Sequence, residues 1–191
     1  MYPRPDFKGN ELIELLKRNY ICAPTVLARR EAWMSAYPVP DGLAFNDWYF
    51  NIMLARKWEY YYISDVLADY RVHDSNWHTK VSKDGSEERS VIWLLNWIYS
   101  QKEEDQELEN KKISAKNQVY AAQYLDFANK YFGHAMWRDS RRCYLKAISY
   151  QPSMIFNGLV CRRVASTLLS PRLYEKLKRL LRRKVDSTSG A

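Results

Sequence analysis

What this chain lacks narrows its chemistry first. It contains no GxxxxGK[ST], GxGxxG, GxSxG or HExxH pattern, so phosphate-loop, dinucleotide-binding, serine-hydrolase and zincin sites find no foothold. No Asp-x-Asp pair occurs either. Cysteine is limited to Cys22, Cys143 and Cys161, odd in number and widely spaced, with no CxxC. The expectation is three reduced, buried thiols in a cytosolic protein. No apolar run approaches the roughly 20 residues that span a bilayer. The opening MYPRPDFKGN has no apolar h-region, so a signal peptide is not expected. The expected location is cytoplasmic, either free or peripheral at the inner membrane face.

What is present is aromatic and basic. Among 191 residues, seven Trp, fifteen Tyr and six Phe suit stacking of flat ligands or burial of large rings. Lys and Arg number 30 against 22 acidic residues, a formal +8, which favours anionic partners. The length fits one domain, or one small domain with an appendage.

Read in order, residues 1–10 form an irregular arm and Glu11–Arg18 a short amphipathic helix. Tyr20–Ala28 is β-rich, with Pro24 suited to an edge or bulge. Glu31–Ala36 adds a helical turn, closed by Tyr37-Pro38-Val39-Pro40-Asp41-Gly42. Asn46 is expected to cap a helix reaching about Lys57, with apolar residues at 50, 53 and 54 on one buried face. Trp58–Ile63 and Val66–Val72 read as short extended segments around Ser64-Asp65. The polar run Val81–Ser86 marks a boundary, giving an acceptor-side fragment over 1–83 and a helical extension over 84–191.

Beyond that break the apolar period becomes 3.6 and stays there. Helices are expected over Arg89–Tyr99, Lys111–Phe132 (ended by Gly133), Met136–Tyr150, Met154–Leu169 and Arg172–Lys184. Glu103, Glu104, Asp105 and Glu107 read as a solvated stretch. The last segment sets Leu173, Leu177, Leu180 and Leu181 on one face among seven cations. Such a face suits an anionic membrane surface, or docking of the leucines on preceding helices. Nothing resembles a nucleic-acid reading motif, so no nucleic-acid partner is expected.

Two places could carry chemistry. A carboxylate at a helix N-terminus, Asp47, can take a proton from a hydroxyl while a neighbouring indole, Trp48, supports an apolar sugar face. The plainer reading makes Asp47 an accessory to the cap and Trp48 a core residue. Arg71 and His73, two apart, would face one side of an extended segment. They could bind a diphosphate or, through the imidazole, a metal ion; the plainer reading, more common for a lone His, is a surface or satisfied core residue.

Taken together, Thr25-Val26-Leu27-Ala28-Arg29-Arg30-Glu31, Asn46-Asp47-Trp48 and Leu67-Ala68-Asp69-Tyr70-Arg71-Val72-His73 follow one order. Over about Tyr20 to Asn76 this resembles the acceptor-side half of family 2 glycosyltransferases with the GT-A fold. The resemblance implies an α+β, mostly α chain: an incomplete GT-A-like α/β fragment followed by a helical hairpin or bundle. It implies that Asp47 is the general base, and that Asn46, Trp48 and Arg71 bind substrate. It places His73 near a divalent metal, Mg or Mn in a complete enzyme. Nucleotide sugar and a polysaccharide or cell-surface glycan acceptor would be the partners. The family's N-terminal half, with its nucleotide pocket and DxD, has no counterpart here, so no turnover is expected of this chain by itself. A non-catalytic helical module binding a protein or an anionic membrane is the alternative. Surface left open by the absent sheet would favour self-association.

In the helical extension, Tyr124, Phe127, Ala128, Tyr131, Ser140, Tyr144, Ala147 and Pro152 resemble one tetratricopeptide unit. One unit cannot bury its own faces and must pack on neighbours.

Overall fold

Leu12, Leu15 and Leu16 recur at helical spacing and are fully buried, which explains why so short a helix as α1 (Leu12–Lys17) holds. The computed structural model in which they are seen describes residues 6–69, 71, 81 and 83–169. Among these residues the chain is mostly helical, with seven α-helices and one two-stranded sheet. The remaining helices are α2 (Arg30–Met34), α3 (Asn46–Ala55), α4 (Ser86–Ser100), α5 (Gln106–Gly133), α6 (Trp137–Tyr150) and α7 (Gly158–Ser166). Strands β1 (Phe7–Gly9) and β2 (Tyr60–Tyr62) pair antiparallel, Phe7 opposite Tyr62 and Gly9 opposite Tyr60. The chain divides into two compact units, Met1–Gln123 and Tyr124–Ala191. The polar break at 81–86 thus lies inside the first unit.

Helix α3 is the hub of the first unit. Trp48, Tyr49, Phe50, Asn51, Ile52, Leu54 and Ala55 are all buried, so the helix is covered nearly all round rather than on the single face expected. Burying each such large side chain contributes about 1.5–3 kcal/mol before entropy is counted. Its N-cap is Phe45, and Asn46 is its first residue, exposed and not capping.

Short helices leave many carbonyls without partners, and here side chains supply them. The Trp48 indole N–H donates to the Leu15 carbonyl at 2.8 Å, and the Gln123 amide donates to the Leu16 carbonyl at 2.8 Å. Asn10 accepts from the Leu12 N–H at 2.9 Å and donates to the Ala55 carbonyl at 2.6 Å, tying the start of α1 to the end of α3. Helix α2 and the turn after it join through Ala32 and Ala36, with Trp33 stacked on Phe50 at 4.2 Å. Tyr49 meets Trp97 of α4 at 6.2 Å, and Ser90 of α4 accepts from the Ala44 N–H at 2.9 Å.

Several sequence expectations are corrected. Tyr20–Ala28 holds no strand: Ala23–Thr25 is a 3₁₀ turn with Pro24 near its start, where a missing N–H costs nothing. The irregular arm contains β1, which β2 finds across more than fifty residues, with Lys8 and Glu59 paired at 2.8 Å beside it. Val66–Asp69 adopts no helix or strand. The fourth helical stretch is a 3₁₀ turn, Pro152–Phe156, followed by α7. Of the three free thiols only Cys143 is buried, and Cys161 is exposed. The basic segment 171–184 lies outside the described residues.

The second unit contains a helical hairpin. Its registers run antiparallel: Tyr124 stacks on Tyr150 at 5.9 Å, the Ser140 hydroxyl donates to the Ala128 carbonyl at 2.9 Å, and Phe132 meets Trp137 edge-on at 4.9 Å. Tyr124, Phe127, Ala128, Tyr131, Ser140, Tyr144 and Ala147 are all buried. Ser140 and the alanines let the helices close up, and the rings fill the space beside them.

Candidate functional site

Consecutive residues on a helix point about 100° apart, so Asn46, Asp47 and Trp48 cannot share one direction. Asn46 is exposed, Asp47 half-buried and Trp48 only 2% exposed. Asp47 sits in the first turn of α3, where the N-terminal dipole favours a carboxylate. It makes no ion pair or hydrogen bond with another described residue. Trp48 is committed to the α1 carbonyl and to the core, and presents no ring face to solvent. Its burial fixes the first turn of α3 and with it the place of Asp47. The plainer reading of Trp48 is the one its surroundings match.

Arg71 is exposed and belongs to no helix or strand. No described hydrogen bond or ion pair joins it to Asp47. His73 lies outside the described residues. Among the described residues no group of three or more His, Cys, Asp or Glu side chains could hold a metal ion.

The aromatics largely stack on one another. Besides the Trp33–Phe50 pair, Tyr37 meets Phe50 edge-on at 5.3 Å and Trp93 lies parallel to Trp97 at 6.3 Å. Trp93 of α4 stays 47% exposed and Tyr37 52%, so the stack leaves both rings partly open.

The densest polar constellation is one the sequence reading missed. Glu103, expected in a solvated run, is 4% exposed, and Lys112 is 1% exposed. The Lys112 ammonium donates to the Gln101 carbonyl at 2.6 Å, to Glu103 at 2.7 Å and to Ile98 at 3.4 Å, and pairs with Glu109 at 2.9 Å. The second Glu103 oxygen accepts from Arg56 Nε at 2.7 Å, and the Glu103 N–H donates to Glu109 at 2.8 Å. Lys112 thus meets carbonyls at the C-terminal end of α4, where a cation is favoured. The Glu103 N–H, then the Lys112 ammonium, hold the Glu109 carboxyl below the ordinary glutamate value. Two cations and two anions cancel, and every partner is in place, so the cluster is a lock between α3, α4 and α5 and offers no charge to a ligand. A sequence signal existed only in Glu109 and Lys112 three apart on α5; nothing marked Glu103 as folding back.

In the second unit Tyr144 donates to Asn129 Oδ1 at 2.6 Å, and Arg163 donates to the same oxygen and to the Tyr144 hydroxyl at 3.5 Å. The guanidinium also lies over the Phe132 ring at 5.6 Å. Burial pushes the Tyr144 hydroxyl pKa up, against the pull of Arg163.

Comparison of the chain with family models, with curated proteins and with solved structures finds no match in any of the three.

Proposed function

We propose that this chain is the acceptor-side and C-terminal helical portion of a sugar transferase, moving a hexosyl group from a nucleotide sugar to a polysaccharide or cell-surface glycan. The ordered motifs between Tyr20 and Asn76 support the reading. One observation carries it: Asp47 is a partly accessible carboxylate in the first turn of a rigidly held helix, without an ion-pair partner among the described residues. In this role its carboxylate takes the proton of the acceptor hydroxyl as that oxygen bonds to the anomeric carbon. The bond from that carbon to the diphosphate breaks, and the nucleoside diphosphate leaves with the electron pair. Asn46 and Arg71, both exposed, are the substrate-contacting candidates. Trp48 acts by positioning α3. No metal is assigned to the described residues.

Supplying the chain with a nucleotide-sugar-binding half should give transfer from a nucleotide sugar. Asp47→Asn should then cut the rate by about 10²–10⁴, the span general base catalysis contributes. Full rate in Asp47→Asn removes the base assignment.

A second reading is a helical module whose basic unit meets an anionic surface. The charge distribution favours it: Lys and Arg number fourteen against four acids from Tyr124 to Ala191, but sixteen against eighteen before that. Sedimentation with anionic vesicles tests it, and a chain that stays in the supernatant counts against it.

A further inference from the structure

Phe156 is 88% exposed, Ile155 56% and Leu159 47%, three large apolar side chains grouped where the 3₁₀ turn Pro152–Phe156 enters α7. The turn that presents them is well tied. The Cys161 thiol donates to the Ile155 carbonyl at 2.9 Å, and the Asn157 N–H donates to the Met154 carbonyl at 3.0 Å. Asn157 Oδ1 accepts from the N–H groups of Leu159 and Val160 at 3.0 and 3.2 Å, capping α7. An apolar tip on a preformed turn loses little conformational freedom when it inserts. Arg162, exposed and one helical turn from Leu159, can keep its guanidinium at headgroup level while its stem follows the apolar residues down.

We propose that Ile155, Phe156 and Leu159 form a wedge that enters the interface of an anionic bilayer, with the cations of the same unit meeting the lipid phosphates. The inference rests on the second reading above and gives that surface a definite site. Charge argues for this occupant. Residues 124–169 carry seven Lys or Arg against two Asp, so two copies brought face to face would repel. Three side chains also fall far short of the roughly 800 Å² per partner of a stable protein interface. A bilayer asks for less: a few inserted apolar groups, with cations drawn to the anionic surface. Nucleic acid would use the cations and leave the apolar tip idle.

The full chain is sedimented with phosphatidylcholine vesicles, with and without phosphatidylserine, beside the variant Ile155→Asp/Phe156→Asp. The expected result is binding that requires phosphatidylserine and weakens at least about tenfold in the variant, at unchanged helical circular dichroism. If the double variant loses helix, Phe156→Ser carries the same comparison. Undiminished binding by the variant overturns the wedge while leaving the basic surface standing. Wild-type chain that ignores both vesicles overturns the wedge and the second reading together. Equal binding to uncharged vesicles, or a concentration-dependent dimer that the variant abolishes on a sizing column, also overturns the proposal.

Discussion

The two units keep their charge in opposite places. In the first, Glu11, Glu87, Glu103, Glu109 and Lys112 are buried, as are Asn51 and Gln123, while the sequence up to Gln123 carries a slight acidic excess. In the second, the buried polar residues among those described are Ser140 and Thr167, neither of them charged. The first unit has short helices, α1 to α3, whose orphaned carbonyls must be met by side chains, so polar groups enter its interior as fasteners. The second has a long-helix hairpin that satisfies its own backbone and closes on small residues and rings. A fastener fails when one partner is removed; ring packing loses stability by degrees.

Removing the central fastener should show the largest effect. Lys112→Met leaves Glu103 and Glu109 without their ammonium in a buried setting, which costs about 3–5 kcal/mol. Chemical denaturation should show the loss. A loss under about 1 kcal/mol would mean the cluster is solvated in practice, and the contrast between the units would collapse.

How much of this was legible beforehand divides along the same line. Helices α4, α5 and α6 declared themselves through sustained 3.6-residue periodicity, and the hairpin positions from Tyr124 to Ala147, picked out by their likeness to a tetratricopeptide unit, are buried. The first unit was legible in its helices, α1 to α4, and resisted in its long-range pairings. Its strand pair joins Phe7 to Tyr62, a contact no local pattern encodes. Glu103 sits in a run of acids whose composition says solvent, and only the return of α5 past the end of α4 buries it. Asp47 was legible as a helix-start carboxylate and Trp48 as a core residue in the plainer reading, but the α1 carbonyl that its indole meets was not.

One substitution made twice sharpens the comparison. The Tyr144 hydroxyl has two partners, so Tyr144→Phe should cost about 1–2 kcal/mol in the second unit. The Tyr99 hydroxyl of the first unit is buried with no hydrogen-bond partner among the described residues, and burial pushes its pKa up. Tyr99→Phe removes a desolvated group that gains nothing, and should stabilise by about 1 kcal/mol. Thermal melts of both variants decide the matter; a same-sign shift contradicts the assignment.

A smaller effect belongs to acid. Because the Glu109 carboxyl is held below its ordinary value of 4.5, its contribution is fully present above that pH and is lost as pH falls through the depressed folded value. Stability measured from neutral pH into that range should decline less steeply in Glu109→Gln than in the wild type. Parallel curves would show that other carboxylates govern the acid limb.

The smallest effect tests whether the second unit's hairpin is as settled as its packing suggests. Helix α5 ends with the Met136 N–H bonded to the Tyr131 carbonyl at 2.9 Å and the Ala135 N–H to the Phe132 carbonyl at 3.1 Å, a Schellman closure that puts Ala135 at φ 58°. Glycine suits that place, since the alanine Cβ costs roughly 1–2 kcal/mol there. Gly133, expected to end the helix, is its last helical residue, and an added Cβ there meets nothing within 4 Å. Ala135→Gly should therefore stabilise by about 0.5–1 kcal/mol, the strain relieved less the freedom glycine returns to the unfolded chain. Gly133→Ala should add a similar increment through helix propensity. Together they exchange the two residues, and their gains should sum if the turn is held as described. A loss in Ala135→Gly would mean that the left-handed residue lies elsewhere and that the closure of α5 onto α6 is built differently.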